Sequence, residues 1–389
     1  DRDVRSWADA WLRTTGFDTL VVRRDRDVPV LTRQGSRPHR TTVTAYAPSE
    51  AGLVVRGSRV VDLGDAEVRL DDWAGLVVLP NASDETFARV RTDPGSWVAL
   101  ADGVGRLGTE ERAVVWATAF DLVARAELPA SDLLAMLPGL ADEPLPAIWE
   151  GVAEHTLRVV LPRHLPGNQV REARTVLAAM AQATAVSTPP LRLAATRLEA
   201  ACTADPDRLL RWLADGRTGT GVEVDADLRW RALTRLAELG AVDLARLDEE
   251  AAADPSSQSE TGAARARAAI PAVDAKERAW SVFSAADVGN RVFRAVAAGL
   301  WVPEQAGLVA PYVERYLAEA PAWAERRGQG FSRTIGHAFP VHAVTEQTRD
   351  GLSNALAADV PTVLRRAWED QLDDLEADLA VRRGRRTSR

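Results

Sequence analysis

The feature that most limits the fold is the uninterrupted helical pattern of residues 83–389. Apolar side chains recur there at helical spacing, and no strand-like alternation of any length interrupts them. Short breakers separate the segments, among them Pro129, Pro162, Pro206 and Gly240. Because each helix of such an array must bury its apolar face against its sequence neighbours, we expect a HEAT/armadillo-like superhelical domain. The repeat period drifts, which indicates irregular helix pairs rather than a regular tetratricopeptide or ankyrin array.

Residues 17–82 have a different pattern, in which short β-branched runs alternate with glycine and proline. These runs predict strands, and they are Thr19–Val22, Val28–Leu31, Thr41–Tyr46, Leu53–Val55, Val60–Leu63 and Leu76–Leu79. Strands of this length and spacing predict a small antiparallel β-sandwich, so the whole chain is expected to be mainly α. Beyond it we expect no further strand, because Ser83 or Asp84 can cap a helix. That helix is expected to continue through Phe87 and Val90.

Residues 1–16 predict an amphipathic helix, with Gly16 where a helix C-cap belongs. The apolar residues at helical spacing are Val4, Trp7, Ala8, Trp11 and Leu12. A helix that runs directly into a strand is typical of the end of one domain and the start of the next. We therefore expect a fragment in three parts: the terminal helix of a missing domain (1–16), a β-sandwich domain (17–82) and an α-helical C-terminal domain (83–389).

The overall composition excludes several classes of protein. The net charge of −8 at pH 7 argues against a nucleic-acid partner, because phosphate binding relies on clustered cations. The basic cluster Arg382–Arg386 is interpreted as a solvated chain end. No apolar run reaches the roughly 18 residues of a membrane span, so no membrane partner is expected.

The single cysteine, Cys202, excludes an intramolecular disulfide and a thiolate metal cluster. Its alanine-rich helical context predicts a small buried side chain rather than a catalytic thiol. The lack of disulfides favours a cytoplasmic location.

The chain lacks the motifs that would identify a catalytic or metal site. The zinc motif H-E-x-x-H places two imidazoles on one helix face, but no two histidines here are four residues apart. The five are His39, His155, His164, His337 and His342. The nearest pair, His337 and His342, is interrupted by Pro340, so these rings are predicted to cap or pack. We expect no catalytic, cofactor-binding or metal-binding residue in this chain.

Two glycine-rich stretches also need interpretation. Gly103–Gly108 matches the dinucleotide pattern G-x-G-x-x-G, but that fingerprint requires a preceding buried strand, whereas Trp97–Asp102 has a helical pattern. A helix–helix turn is predicted instead. Gly216–Gly221 is likewise predicted to be a flexible turn, since a phosphate-binding loop needs a lysine that is absent.

Tryptophan is unusually frequent in the helical segments. These residues are Trp116, Trp149, Trp212, Trp230, Trp280, Trp301, Trp323 and Trp368. A large ring within a helix most often anchors packing between helices, and we predict that role here.

Several short sequence motifs occur in a characteristic order along the chain. They are W-x₃-W-L-x-T-x-G at Trp7–Gly16, Q-G-x₂-R-P-H at Gln34–His39, L-R-W at Leu228–Trp230, K-x₂-A-W at Lys276–Trp280, G-L-W-x-P-x-Q at Gly299–Gln305 and P-Y-x₃-Y at Pro311–Tyr316. Together they resemble the C-terminal portion of the M1-family zinc aminopeptidases of the aminopeptidase N group, in its bacterial, actinobacterial form. The resemblance runs from residue 1 to about residue 380.

The resemblance implies a parent enzyme that releases N-terminal residues from peptides. One catalytic zinc is expected in the missing upstream domain, since this chain lacks both H-E-x-x-H and the family's G-x-M-E-N motif. The helical domain of such enzymes curves over the catalytic domain and closes a chamber for short peptides. The implied partners are therefore the chain's own upstream catalytic domain and short peptide substrates, and the chain alone is not catalytic. Arg291, Arg294 and Arg333 flank the recognised motifs and are candidates to hold a peptide carboxylate.

A second hypothesis is a stand-alone α-solenoid scaffold that binds a protein or peptide and has no enzymatic parent. Residues 1–16 distinguish the two, because a self-contained scaffold has no need of a helix that ends another domain.

Overall fold

The computed structural model describes residues 4–50, 52–64 and 66–384, and for residues 4–7 it describes the backbone only. Predictions that fall on residues 1–3 and on Arg385 and Arg386 lie outside this range. The chain divides into two compact units, residues 1–123 with 138–149 and residues 124–137 with 150–389. The three-part division expected from the sequence stays a prediction.

The strands of the first unit form two sheets that share one core. They are β1 (Asp18–Asp25), β2 (Val28–Gln34), β3 (His39–Ser49), β4 (Gly52–Leu63), β5 (Val68–Arg69), β6 (Val77–Pro80) and β7 (Ala88–Arg91). One sheet has the order β5-β2-β1-β7 and the other has the order β4-β3-β6. Leu20 of the first sheet packs with Val43 and Val78 of the second in the same buried cluster. The predicted β-sandwich is confirmed.

Two of the predicted strands are one strand. Leu53–Val55 and Val60–Leu63 both belong to β4, and Gly57 lies between them. The pairing with β3 shifts between Ala45 and Tyr46, so a β-bulge carries the strand past the glycine. A Cβ at Gly57 would lie 3.3 Å from the indole nitrogen of Trp73, so this glycine allows the ring to pack on the strand rather than ending it.

The helix predicted to start at Ser83 or Asp84 is wrong. Asn81 Oδ1 accepts from the backbone N–H groups of Glu85 at 3.0 Å and Thr86 at 3.2 Å, which closes a turn. Asp84 has a φ of +52°, which is incompatible with a right-handed helix. The chain instead enters β7, which pairs in parallel with β1, so the sandwich is not wholly antiparallel.

The rest of the described chain is helical, which confirms a mainly α protein. The helices are α1 (Val4–Leu12), α2 (Pro94–Asp102), α3 (Thr109–Ala124), α4 (Ala130–Met136), α5 (Pro146–His155), α6 (Gly167–Ser187), α7 (Arg192–Cys202), α8 (Pro206–Asp215), α9 (Ala226–Glu238), α10 (Leu244–Ala253), α11 (Ser257–Ala269), α12 (Val273–Ser284), α13 (Asn290–Leu300), α14 (Ala306–Gly336), α15 (Glu346–Ala357) and α16 (Thr362–Gly384). Among the described residues, no helix has the length and apolar character needed to cross a membrane.

Helix ends and turns follow the sequence signals in part. α1 ends at Leu12, before the predicted stop at Gly16, although Gly16 has the expected positive φ of +85°. Gly103–Gly108 connects α2 to α3 and Gly216–Gly221 connects α8 to α9, so both are turns as predicted. Pro162 does not separate helices, because it lies inside a π-helical segment, Thr156–His164.

Aromatic rings dominate the core of the second unit. Trp280, Phe283, Tyr316, Trp323 and Trp368 belong to one buried cluster, in which ring centroids of neighbouring side chains lie about 5–6 Å apart. Trp212 and Trp230 belong to a separate buried cluster. The predicted packing role of the helical tryptophans is confirmed, with Trp301 half-buried and the others buried.

Candidate functional site

In the second unit, which we call the helical unit, the motifs that carry the family resemblance supply side chains that hydrogen-bond to helix ends. Lys276 Nζ donates to the carbonyl oxygen of Ala268 at 2.6 Å. Gln305 Nε2 donates to the carbonyl oxygens of Ala269 at 2.9 Å and Glu238 at 3.4 Å. The last carbonyls of a helix have no partner within it, so these two side chains complete the C-terminal ends of α11 and α9. Their role is structural.

In the first unit, the motif at Gln34–His39 also supplies a side chain that hydrogen-bonds to backbone carbonyls. The buried guanidinium of Arg37 donates to the carbonyl oxygens of Ala10 at 3.1 Å and Gly16 at 2.8 Å. It also pairs with Asp18 at 3.2 Å, and His39 Nε2 lies 3.2 Å from the other carboxylate oxygen of Asp18. This cluster ties the segment after α1 to β1 and β3.

A buried network of charges lies between α6, α9 and the turn before α14. Arg174 Nε is 2.7 Å from Glu304 Oε1, and Arg235 Nη1 is 2.7 Å from Glu238 Oε2. Burial acts to raise the pKa of Glu238, but Arg174 and Arg235 hold it below its ordinary value. Burial raises the pKa of the nearby Cys202 thiol to about 11, which keeps it protonated and unreactive.

This network forms one wall of a cavity of about 680 Å³ in the second unit. We call it the arginine cavity, and its charged lining residues are Arg158, Arg174, Arg231, Arg235, Arg265, Glu154, Asp227 and Glu238. Its volume lies within the roughly 300–1,000 Å³ that is usual for ligand sites. Five arginines line it, against three lining carboxylates and Glu304 of the same network, so a net positive charge remains and the cavity favours an anion.

Arg265 is the cation of this cavity that is most available. Among the residues that the structure describes, it has neither an ion pair nor a hydrogen bond, whereas Arg231 pairs with Asp227 at 2.8 Å. The Arg265 side chain is exposed, yet burial is the main cause that lowers its pKa, with Arg158 and Arg231 contributing and Glu238 opposing. The two facts agree because a side chain that projects into a concave space is reached by solvent and still surrounded by protein. A planar guanidinium in this position suits bidentate binding of a carboxylate.

Close backbone packing brings these arginines together. A Cβ at Gly262 of α11 would lie 2.3 Å from Trp230 of α9, so the glycine allows the two helices to approach. A Cβ at Gly299 of α13 would lie 2.0 Å from the carbonyl oxygen of Arg265. On α9 and α11 the cavity residues recur at spacings of three or four positions, which places each set on one helix face.

The arginines predicted from sequence are elsewhere. Arg291 donates to Ser257 Oγ at 3.4 Å, Arg294 donates to Thr334 Oγ1 at 3.3 Å, and none of Arg291, Arg294 and Arg333 lines the arginine cavity. The sequence did contain a signal for the arginines that line the cavity. Arg231 and Arg235 repeat at i and i+4 on α9, and Arg265 lies on the face of α11 that also carries Gln258, Thr261 and Gly262.

The five histidines occupy separate environments. His39 and His164 each contact a carboxylate, of Asp18 and Asp378 respectively, both at 3.2 Å. His337 is exposed and lines the arginine cavity, whereas His342 is buried. Within residues 4–50, 52–64 and 66–384, no three histidine, cysteine or acidic side chains converge as a metal ion requires.

Comparison with known proteins gives two matches. Residues 77–377 match the family described as the ERAP1-like C-terminal domain. The chain is also 30% identical to an aminopeptidase N of Streptomyces lividans over 412 aligned residues, which cover 97% of this chain and 48% of that protein. The chain thus spans about half the length of this relative.

Proposed function

Since the chain belongs to the family of ERAP1-like C-terminal domains, we propose that it is the non-catalytic C-terminal part of an M1-family aminopeptidase N. In this proposal the helical unit forms the lid of a chamber in which the parent enzyme removes N-terminal residues from short peptides. The parent's zinc and its hydrolytic groups belong to a catalytic domain upstream, which is the principal partner of this chain. A cytoplasmic parent fits a chain with one buried cysteine.

The observation that carries the proposal is the alignment to an aminopeptidase N across 97% of the chain. It includes the first unit as well as the helices, so the similarity is not confined to a generic helical array. The remaining half of that relative lies outside the aligned region, which leaves room for a catalytic domain.

The arginine cavity supports a role in peptide binding. A peptide held by its N-terminus in a catalytic site extends its C-terminal carboxylate away from that site. Arg265 offers an unpaired guanidinium, and the walls of the cavity also present Trp230 and Trp301, which suit peptide side chains. The helical unit would then orient peptides and exclude bulk water, while the chemistry takes place elsewhere.

The test compares the purified chain with the longer product of its gene. Release of nitroaniline from alanyl- and leucyl-nitroanilides is measured for both, together with bound zinc. We expect activity and about one zinc per molecule in the longer protein only, as zinc peptidases with a single metal require.

Either of two results would contradict this assignment. Zinc-dependent release of an amino acid by the chain alone would show that it is catalytic by itself. A longer product without activity or zinc would instead favour the stand-alone scaffold.

A further inference from the structure

A second concavity in the helical unit has the opposite charge from the arginine cavity. It has a volume of about 1460 Å³ and lies where α14 and α15 face each other. We call it the acidic groove, and define it by Glu314, Asp350 and Asp359 with a small-residue floor at Ala310, Gly351 and Ala355. Neither the family description nor the similarity to aminopeptidase N assigns a role to it.

The lining of this groove leaves negative charge available. Among the described residues, Glu314 and Asp359 have no ion pair, although Glu314 accepts a hydrogen bond from Gln347 at 2.7 Å. Asp350 pairs with Arg349 at 2.6 Å on the surface. Two carboxylates therefore remain for a cationic ligand.

The one basic residue of the lining is already engaged. Arg382 donates to the carbonyl oxygens of Arg163 at 2.8 Å and Pro162 at 3.0 Å, and it also reaches that of His342 at 3.4 Å. Its hydrogen bonds are thus directed at the protein backbone. Within the described residues, none of these bonds reaches Glu314 or Asp359.

A buried polar group in the lining also lacks a partner. His342 is 6% exposed, and its Nδ1 has no hydrogen bond within the described part of the chain. Burial lowers the pKa of this imidazole to about 4, with Arg382 and Lys276 contributing, so the ring is neutral at pH 7. A neutral imidazole adds no positive charge to the lining, so it does not oppose a cationic ligand.

The size and floor of the groove indicate the kind of ligand. Its volume exceeds the roughly 1,000 Å³ of the larger small-molecule sites. Ala310, Gly351 and Ala355 lack bulky side chains, so a ligand backbone can approach α14 and α15 closely. A peptide segment fits these dimensions better than a single metabolite.

We propose that the acidic groove binds a basic amphipathic peptide segment. Its apolar face packs on the Ala310, Gly351 and Ala355 floor, and its lysine or arginine side chains pair with Glu314 and Asp359. The proposal is independent of the peptidase assignment. The lining of the acidic groove is opposite in charge to that of the arginine cavity, and the test of the proposal requires no catalysis.

The test measures fluorescence anisotropy of a labelled amphipathic peptide with leucine and alanine on one face and lysine on the other. A matched peptide has glutamate in place of lysine. The double variant Glu314→Lys with Asp359→Lys reverses the charge at exposed positions of the groove. The control, Glu369→Lys with Glu376→Lys, makes the same change in net charge at exposed positions of α16 outside the groove.

We expect the basic peptide to bind the native chain at least tenfold more tightly than the acidic peptide. The groove variant should weaken that binding about tenfold, which corresponds to about 1.4 kcal/mol, because it removes two exposed ion pairs with the peptide. The control variant should change it less than threefold. Ala355→Phe, which fills the floor, should also weaken it. Equal binding of both peptides, no binding of the basic peptide, or equal effects of the two double variants would overturn the proposal.

Discussion

Lys276 Nζ lies 2.6 Å from the carbonyl oxygen of Ala268, so a fully buried lysine completes the C-terminal end of α11. The ammonium has no carboxylate within ion-pair distance among the described residues, although Glu238 favours its charged form from further away. This contact is made by the first residue of K-x₂-A-W. The lysine of this family motif therefore has a structural role.

Replacing this lysine should destabilise the helical unit. Lys276→Met keeps most of the apolar volume but leaves the Ala268 carbonyl buried without a donor, which costs about 1–3 kcal/mol. Denaturant unfolding at pH 7 measures the loss. Arg278→Met on the exposed face of the same helix is the control, and its effect should stay within about 0.5 kcal/mol. Equal losses in both variants would refute the role of Lys276.

The same residue should give stability an alkaline pH dependence. Burial lowers the pKa of Lys276 from 10.5 to about 8, so between these values the unfolded chain binds the proton and the folded chain does not. The free energy of unfolding contributed by this group therefore rises as the pH rises from about 8 to 10.5. The difference in stability between native chain and Lys276→Met should grow over that range. A constant difference would contradict the lowered pKa.

His342 should make the folded protein less stable as the pH falls. Burial lowers its pKa from 6.5 to about 4, so the unfolded state takes up a proton first as the pH falls. Stability from this group is complete above about pH 6.5 and is lost as the pH falls toward 4. His342→Asn should remove that part of the pH dependence, measured by denaturant unfolding between pH 7 and 4. His337→Asn, at an exposed ring, should leave it in place.

The contact between α11 and α13 should not tolerate a methyl group. A Cβ at Gly299 would lie 2.0 Å from the carbonyl oxygen of Arg265 and 3.0 Å from Ala268 Cβ, and a helix backbone cannot move locally to accommodate it. We expect Gly299→Ala to cost about 3 kcal/mol. Gly307→Ala in α14 meets nothing within 4 Å and should be neutral or stabilising by up to about 1 kcal/mol. Thermal unfolding distinguishes the two, and similar melting temperatures would show that the helices separate easily.

In the first unit, the Arg37 cluster should be necessary for stability. Arg37→Ala removes its bonds to Ala10 and Gly16 and leaves the buried Asp18 carboxylate without its guanidinium, which we expect to cost about 3–5 kcal/mol. Arg40→Ala breaks a pair with Asp62 that is about half exposed, and it should cost at most about 1 kcal/mol. Limited proteolysis of the segment after α1, together with denaturant unfolding, measures both. An undisturbed Arg37→Ala protein would mean that α1 is held by other contacts.

Arg265 should act on peptide affinity if the proposed function is correct. In the longer gene product, Arg265→Ala should raise KM about tenfold for peptides with a free C-terminal carboxylate, because a charge-assisted hydrogen bond contributes about 1.5–3 kcal/mol. The value of kcat should change little, since the interaction is equal in ground and transition states. Amidated peptides and nitroanilides should be unaffected.

Arg333→Ala is the matched control for this prediction, because Arg333 is exposed and lies outside the arginine cavity. A rise in KM for amidated and free peptides alike would show that Arg265 does not bind a carboxylate.

Local sequence signals predicted much of this protein. Helical spacing and breakers identified the helical unit, and β-branched runs identified β1, β2, β3 and β6. The alanine context of Cys202 and the tryptophans of the helices correctly predicted burial. These features could be predicted from sequence because side-chain periodicity and turn preferences depend on residues that are close along the chain.

Only the tertiary structure decided the remaining features. β7 exists because Ala88–Arg91 pairs with β1, and no local pattern distinguishes that run from a helix. Arg231 and Arg265 converge because Gly262 and Gly299 let α9, α11 and α13 approach, and helix contact of this kind depends on side chains from all three. A residue's own neighbours fix its periodicity, whereas a cavity is formed by the packing of distant segments. The sequence by itself therefore determined the family and the helical class, and the fold determined which charges meet.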